Sequence, residues 1–394
     1  MELTRHANWI EGRWCEAARG GEFEVGERIG GTERWARSGA EDAERALRSC
    51  AISAARWSSL SRADRLRQLR RVHAELEALP LAELLAPDLA LEPAELRERL
   101  DDELFRFVEG LELFAEGPEQ QGVGVFCAHW SEFPGALALR MLAQLAAGRT
   151  LLLRSDRRLP RAAELVVRAF ENADVAPAPL ALLHGDLREL DHALFATPGL
   201  ALVRLRELDS VLRELAPRLR SRVETTREFW RVSNVSIRIV SGANPALLAP
   251  LCVERFLGRA GTLSAQFPGT LARVLCHERL FSRFTEELLA CLERSTDARR
   301  PVPAIDADLP EHVAHAWALG LDEGATPIHG VAPDSRDAQG GPAGNVFTNV
   351  SPRSGLARLT RPAPVLALVR VPEGTAAEEL QRELDGGPMM EPER

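Results

Sequence analysis

The residues able to do chemistry are sparsely placed. Six cysteines (Cys15, Cys50, Cys127, Cys252, Cys276 and Cys291) are scattered through 394 residues without a CxxC pair. That spacing supports neither a zinc site nor a disulfide framework, and most of the six read as small buried apolar residues. Glu311-His312-Val-Ala-His315 puts two histidines at i, i+3 on a predicted helix, a spacing that can hold a metal. No third ligand accompanies them, so an exposed polar face is the favoured reading and no metal is expected. His184 and His192 flank a turn and a helix start, where Asp186 reads as an N-cap. No Gly-x-Ser-x-Gly elbow occurs. Gly122-Val-Gly124 precedes its strand rather than following it, so it is not a dinucleotide fingerprint. All 49 basic residues are arginine, which excludes a P-loop, Schiff-base or general-base lysine.

These residues need a scaffold, and the composition supplies one. With 45% hydrophobic residues the chain can bury a sizeable core, and its length suggests two to three domains. No window reaches the apolar length of a membrane span, and the first eight residues lack the apolar stretch of a secretory signal, so no membrane partner is expected and the cytoplasm is the expected address. A net charge of -9 argues against a nucleic-acid partner, although Arg218, Arg220 and Arg222 make one basic stretch.

Residues 8–35 read as short strands and turns, with Trp9, Trp14, Trp35 and, further on, Trp57 as packing residues. Apolar stripes at helical spacing predict helices to Trp57 and over 62–79, the second capped by Ser61, and a third helix is expected from Pro93 to Ala115. Strands are then predicted at 124–128, 150–153, 180–183 and 200–205, alternating with helices at 135–147, 160–173 and 186–196; Gly148 closes the first. This alternation implies βαβ units and a parallel sheet. A helical stretch broken at Pro217 is expected over 206–228, followed by a strand at 235–240. The second half repeats the alternation, with helices at 250–258, 278–293 and 308–321 and strands at 271–276, 326–329 and 364–371. The expected fold class is therefore α/β: a Rossmann-like parallel-sheet domain over 1–240, a smaller catalytic-type α/β domain over 241–384, and a flexible tail over 385–394.

Several segments, in this order and spacing, resemble the aldehyde dehydrogenase superfamily. Asn8-Trp-Ile-Glu-Gly-Arg-Trp14 is similar to the family's opening strands. Gly122-Val-Gly-Val-Phe, Glu132-Phe-Pro134 and Leu145-Ala-Ala-Gly-Arg-Thr150 resemble its core strand–helix–strand unit. Leu183-His-Gly-Asp186, Arg273-Val-Leu-Cys-His-Glu and Gly344-Asn-Val-Phe-Thr-Asn-Val350 resemble later elements. About thirty residues follow Pro364, so the resemblance implies a C-terminally truncated member without the late catalytic elements and the oligomerisation strand.

The resemblance implies a chemistry with defined needs: a cysteine nucleophile, an asparagine and a backbone N–H for the oxyanion, a nicotinamide cofactor and a glutamate base. This chain departs at each. Ungapped counting puts Pro268 at the nucleophile position and a gapped alignment puts Ser264 there; Cys276 falls on the next strand and reads as core. Glu132 stands where the oxyanion asparagine is expected, and an ionised carboxylate only accepts hydrogen bonds. Ile239 stands at the general-base position. Thr360-Arg-Pro-Ala-Pro364 replaces the motif whose glutamate grips the nicotinamide ribose. Glu207-Leu-Asp209 replaces the small residues that approach the pyrophosphate. Arg154 replaces the lysine that contacts the adenosine ribose; it could donate to a hydroxyl or phosphate, or be a surface arginine at a strand end.

The expectation is a degenerate, catalytically inactive relative acting as a scaffold or as a homo- or hetero-oligomer subunit beside a catalytic aldehyde dehydrogenase, with NAD(P) as the cofactor if one is retained. The alternative is an NAD(P)-dependent oxidoreductase acting on an aldehyde or acyl substrate through an atypical site.

Overall fold

The structure, a computed structural model, describes residues 5–26, 32–176, 178–185, 187–197, 199–207, 226–231, 234–257, 266–267, 269–295, 305, 308–332, 344–359 and 361–385. It divides into two compact units, one ending at Trp230 and the other beginning at Arg231. The expected boundary near 240 moves back because the strand Val235–Ile239 pairs in parallel with Leu271–His277, inside the second unit.

The first unit opens with short strands: β1 (Arg5–His6), β2 (Asn8–Ile10), β3 (Arg13–Cys15), β4 (Glu22–Gly26) and β5 (Thr32–Ala36). Four helices follow: α1 (Ala40–Ser59), α2 (Arg62–Ala78), α3 (Leu81–Leu89) and α4 (Pro93–Leu113). Asp42 starts α1 by accepting from the backbone N–H groups of Gly39 and Ala18. Ser61 caps α2 through the Asp64 N–H, as its type and position predict. Helix α3 falls in a stretch for which the sequence predicted no element. Pro87 lies in its last turn, and the helix closes at Ala90, which takes a left-handed φ of 53° and donates to the Ala86 and Pro87 carbonyls.

The alternating part is β6 (Val123–Cys127), α5 (Pro134–Ala147), β7 (Thr150–Arg154), α6 (Pro160–Asn172), β8 (Leu180–Leu183), α7 (Leu187–Ala196), β9 (Leu200–Glu207) and β10 (Thr226–Arg231). Gly148 ends α5 at φ 106°, the left-handed cap its position predicts. The main sheet has the order β10-β9-β6-β7-β8-β2-β3, with β9, β6, β7 and β8 parallel and β2 antiparallel to β8. Helices α1 and α7 bury their apolar stripes against one face, around Leu152, Leu183 and Val203. A separate three-stranded sheet has the order β1-β5-β4. The helix expected over 206–228 lies outside the described residues, apart from the ends of β9 and β10.

The second unit holds β11 (Val235–Ile239), α8 (Pro245–Leu257), β12 (Leu271–His277), α9 (Glu278–Arg294), α10 (Leu309–Asp322), β13 (Thr326–His329), β14 (Asn345–Val350), β15 (Val365–Val371) and α11 (Ala377–Leu384). Its sheet has the order β11-β12-β15-β14-β13, parallel except for β13. Successive residues of β12 feed opposite cores: Val274 and Cys276 pack with α8 and α9, and Leu275 packs with α10 and α11. Helix α8 begins five residues before the expected start, because Pro245 rather than Pro250 opens it. Asp385, expected to begin a frayed tail, instead accepts from buried Arg273 at 3.0 Å and from Ser236 Oγ at 2.6 Å. Among the described residues, no helix is long and apolar enough to cross a membrane.

Candidate functional site

In the first unit the chain steps from β6 to β7 and β8 on one side, then returns to place β9 on the other side of β6. Such a reversal opens a crevice at the carboxyl ends of the parallel strands, the place where open α/β sheets bind ligands. At this end Cys127 lies in register with Arg154 on β7 and Leu205 on β9. The loop 128–133 follows, and Pro134 begins α5 with its preset backbone angle.

Every backbone N–H from Ala128 to Glu132 is used within the protein. Ala128 donates to the Arg154 carbonyl at 2.8 Å and Glu132 to the His129 carbonyl at 2.8 Å. His129 donates to Glu132 Oε2 at 3.0 Å, Trp130 to Asp156 Oδ2 at 2.9 Å, and Ser131 to His129 Nδ1 at 3.3 Å. The Glu132 carboxylate, 2% exposed, takes Arg140 of α5 on its other oxygen. Asp156 accepts from Trp130 and from both the backbone and the guanidinium of Arg158. Burial opposes its charge, but Arg158 outweighs that cost and holds the carboxyl well below the usual range.

Arg154 is fully buried, which corrects the surface reading. Its Nε and Nη2 fork onto Asp191 of α7 at 3.0 and 3.1 Å, and its Nη1 donates to the Ser155 carbonyl. The donors that a ribose or phosphate would need are thus turned into the core. Asp191 is equally buried, and burial raises its pKa even though Arg154 opposes the rise. Beside this pair, Ser155 Oγ lies 2.9 Å from His184 Nδ1. Burial pushes His184 down to about 4, so the ring is neutral.

Glu132 and Arg154 therefore sit at one sheet end, joined through the Trp130–Asp156 bond. Ile239 belongs to the second unit, where it is an apolar core residue. Ser264, Pro268, Asp209, Thr360, Asp186 and the Arg218–Arg222 stretch lie outside the described residues, as does the side chain of Glu207. Thiol chemistry finds no support among the buried cysteines: burial lifts Cys50 and Cys252 to about 12 and Cys276 to about 11. His315 is exposed and His312 half-buried, and among the described residues no group of three metal-ligating side chains gathers.

A nicotinamide dinucleotide needs open donors for its ribose hydroxyls and phosphates. The described residues at this sheet end do not fit it: the loop N–H groups are occupied, Arg154 is committed to Asp191, and Glu132 and Asp156 only accept hydrogen bonds, each already held by an arginine. Arg140 and Asp191 are the partners that sequence reasoning missed. Arg140 is the sole charge in α5, a signal that could have found it. Asp191 lies 37 residues from Arg154 and carries no such mark.

A family model described as the aldehyde dehydrogenase family matches residues 30–382. Among solved structures, 3,6-anhydro-L-galactose dehydrogenase in complex with NAP is 17% identical, with a TM-score of 0.85 over 96% of this chain and 84% of that one. Betaine aldehyde dehydrogenase from Staphylococcus aureus, solved with NAD+, is also 17% identical, with a TM-score of 0.85 over 96% and 81%. Succinate-semialdehyde dehydrogenase from Burkholderia pseudomallei is 21% identical, with a TM-score of 0.83 over 96% and 83%. At these identities the likeness to each structure is one of fold. No curated protein matches the chain.

Proposed function

The chain belongs to the aldehyde dehydrogenase family, and from that premise we propose that it is a member without aldehyde-oxidising activity, serving as a scaffold or as a subunit beside a catalytic aldehyde dehydrogenase. One observation carries this reading. Where the family's chemistry needs an amide donor for a developing oxyanion, this chain has the carboxylate of Glu132, and the surrounding N–H groups from Ala128 to Glu132 are already bonded. A group that only accepts hydrogen bonds opposes a developing negative charge. The cysteines raised by burial and the internal pairing of Arg154 with Asp191 support the same reading.

The experiment is a thermal-shift titration of the full chain with NAD+ and NADP+, run alongside turnover assays on an aldehyde panel. The expected result is no shift from either nucleotide and turnover at the buffer background. Ligand that binds the folded state raises its melting point with concentration, so a saturable shift would overturn the nucleotide part of the reading. Co-purification of a catalytic family member in fixed stoichiometry is the expected sign of the subunit role.

The fold neighbour solved with NAD+ favours a second reading, an NAD(P)-dependent oxidoreductase acting on an aldehyde or acyl substrate through an atypical site. It predicts turnover that disappears in Ser264→Ala.

A further inference from the structure

A cluster of charged and aromatic side chains lies where the three-stranded sheet meets α6. The His6 ring on β1 stacks on Trp35 of β5, with centroids 3.9 Å apart and planes within 8°. His184, at the end of β8, packs edge-on against the same indole at 4.9 Å. His6 Nδ1 lies 2.6 Å from Glu164 of α6, and its Nε2 lies 3.3 Å from Glu33 of β5. Arg161 of α6 grips Glu33 and, at 2.8 Å, Asp88 of α3. Arg168 pairs with Glu164 at 2.5 Å.

The groups facing His6 and its partners are thus Glu33, Glu164, Asp88, Arg161, Arg168 and the neutral His184. With His6 protonated, three cations meet three carboxylates. Without that proton, Glu33 and Glu164 lie against an uncharged ring, and the cation stacked on the Trp35 face is lost.

We propose that the sheet β1-β5-β4 is a clasp held to α6 by protonated His6 together with the Arg161–Glu33 pair, and loosened in alkaline solution when His6 loses its charge. Burial opposes the charge on His6, but its hydrogen bond to Glu164 and the nearby Glu33 carboxylate outweigh it and raise the ring to about 9. His184 cannot replace that charge, because burial keeps it neutral. The clasp also reaches the candidate site, since Trp35 touches His184 and His184 is bonded to Ser155. Release loosens one support of the sheet end without unfolding the parallel core.

The test is hydrogen exchange of the full chain from pH 7 to pH 10, with His6→Gln as the variant that never carries the charge. In the wild type, protection of Phe23–Val25 and Glu33–Ala36 should fall at least about tenfold beyond the intrinsic base-catalysed acceleration, while β6 and β7 stay protected. His6→Gln should show the released level already at pH 7, with no further fall. Equal protection of variant and wild type at pH 7 overturns the clasp. So does a loss that spreads evenly through the first unit, which marks general unfolding. If His6→Gln does not fold, nuclear magnetic resonance of the histidine rings in Glu164→Gln decides. The His6 midpoint should drop by a pH unit or more, and an unmoved midpoint overturns the proposal.

Discussion

Replacing Asp191 with asparagine removes the carboxylate that two arms of Arg154 grip, in a place where neither side chain has any exposed surface. Removing one partner of a buried ion pair costs about 3–5 kcal/mol, because the other charge stays desolvated. For a cooperative unit of about 150–250 residues, 1 kcal/mol moves the melting point by about 2–4 °C, so the expected drop is roughly 6–20 °C. The two single variants should differ. Arg154 cannot shed its charge, so Asp191→Asn bears the full penalty. Asp191 can take up a proton, and burial already raises its pKa, so Arg154→Met should cost less. The apolar pair Arg154→Met with Asp191→Leu should return to within about 1–2 kcal/mol of the wild type. Urea denaturation followed by tryptophan fluorescence, completed as a double-mutant cycle, measures all three. The reasoning fails if Asp191→Asn costs under about 1 kcal/mol, or if Arg154→Met leaves stability intact while abolishing a nucleotide-induced shift. The first outcome would mean that the pair contributes little to the fold, and the second that Arg154 serves a ligand.

Gly135 is the second residue of α5, and a Cβ there would stand 2.8 Å from Glu103 Cβ and 3.0 Å from the Glu103 backbone carbon. Gly135→Ala should therefore cost about 1–3 kcal/mol in urea denaturation, as overpacking does, and an unchanged midpoint would refute the close packing. A thiol-reactive dye at pH 8 should label only the half-buried Cys15 and Cys291 in the native chain and all six cysteines after unfolding; rapid native labelling of Cys50, Cys252 or Cys276 contradicts their raised pKa values. Stability should also follow pH on two limbs. His6 is raised from 6.5 to about 9, so its contribution is full below 6.5 and lost as pH rises through 9. That contribution is at most about 3 kcal/mol, less where solvent screens the pair. Glu33 is lowered from 4.5 to about 2 by His6 and Arg161 against the cost of burial, so its contribution is full above 4.5 and lost toward 2. His184, held down to about 4 by burial, withdraws stability as pH falls below 6.5, so urea midpoints should peak near 6.5, and a flat alkaline limb would remove His6 from the account.

Local order carried most of the fold. Periodic stripes such as Leu66, Leu69, Val72 and Leu76 place a helix because period 3.6 gathers them on one buried face. Caps such as Ser61 and Gly148 act through bonds within a few residues, so their types suffice to locate helix ends. The βα alternation then leaves few topologies, and a parallel sheet is the one found. The family resemblance rested on segments whose order survives this regularity, and the matched range 30–382 agrees with it.

Partners across the sheet were not legible. Helix α3 formed through Pro87, which gives up its own N–H bond two residues before the helix ends, a tolerance that residue type cannot carry. The boundary at 230 rather than 240 depended on which sheet accepted Val235–Ile239, which is decided by pairing with the distant strand Leu271–His277. Asp385 left the tail to meet Arg273 for the same reason. From the residues alone came the α/β class, helix ends such as those at Ser61 and Gly148, and the identity of Glu132 where a donor was expected. Tertiary structure alone decided that Glu132 would meet Arg140, that Arg154 would be spent on Asp191, and that His6 would stand between two carboxylates. Periodicity and capping act over one or two turns of chain, whereas a buried charge is settled by whichever distant group arrives to neutralise it.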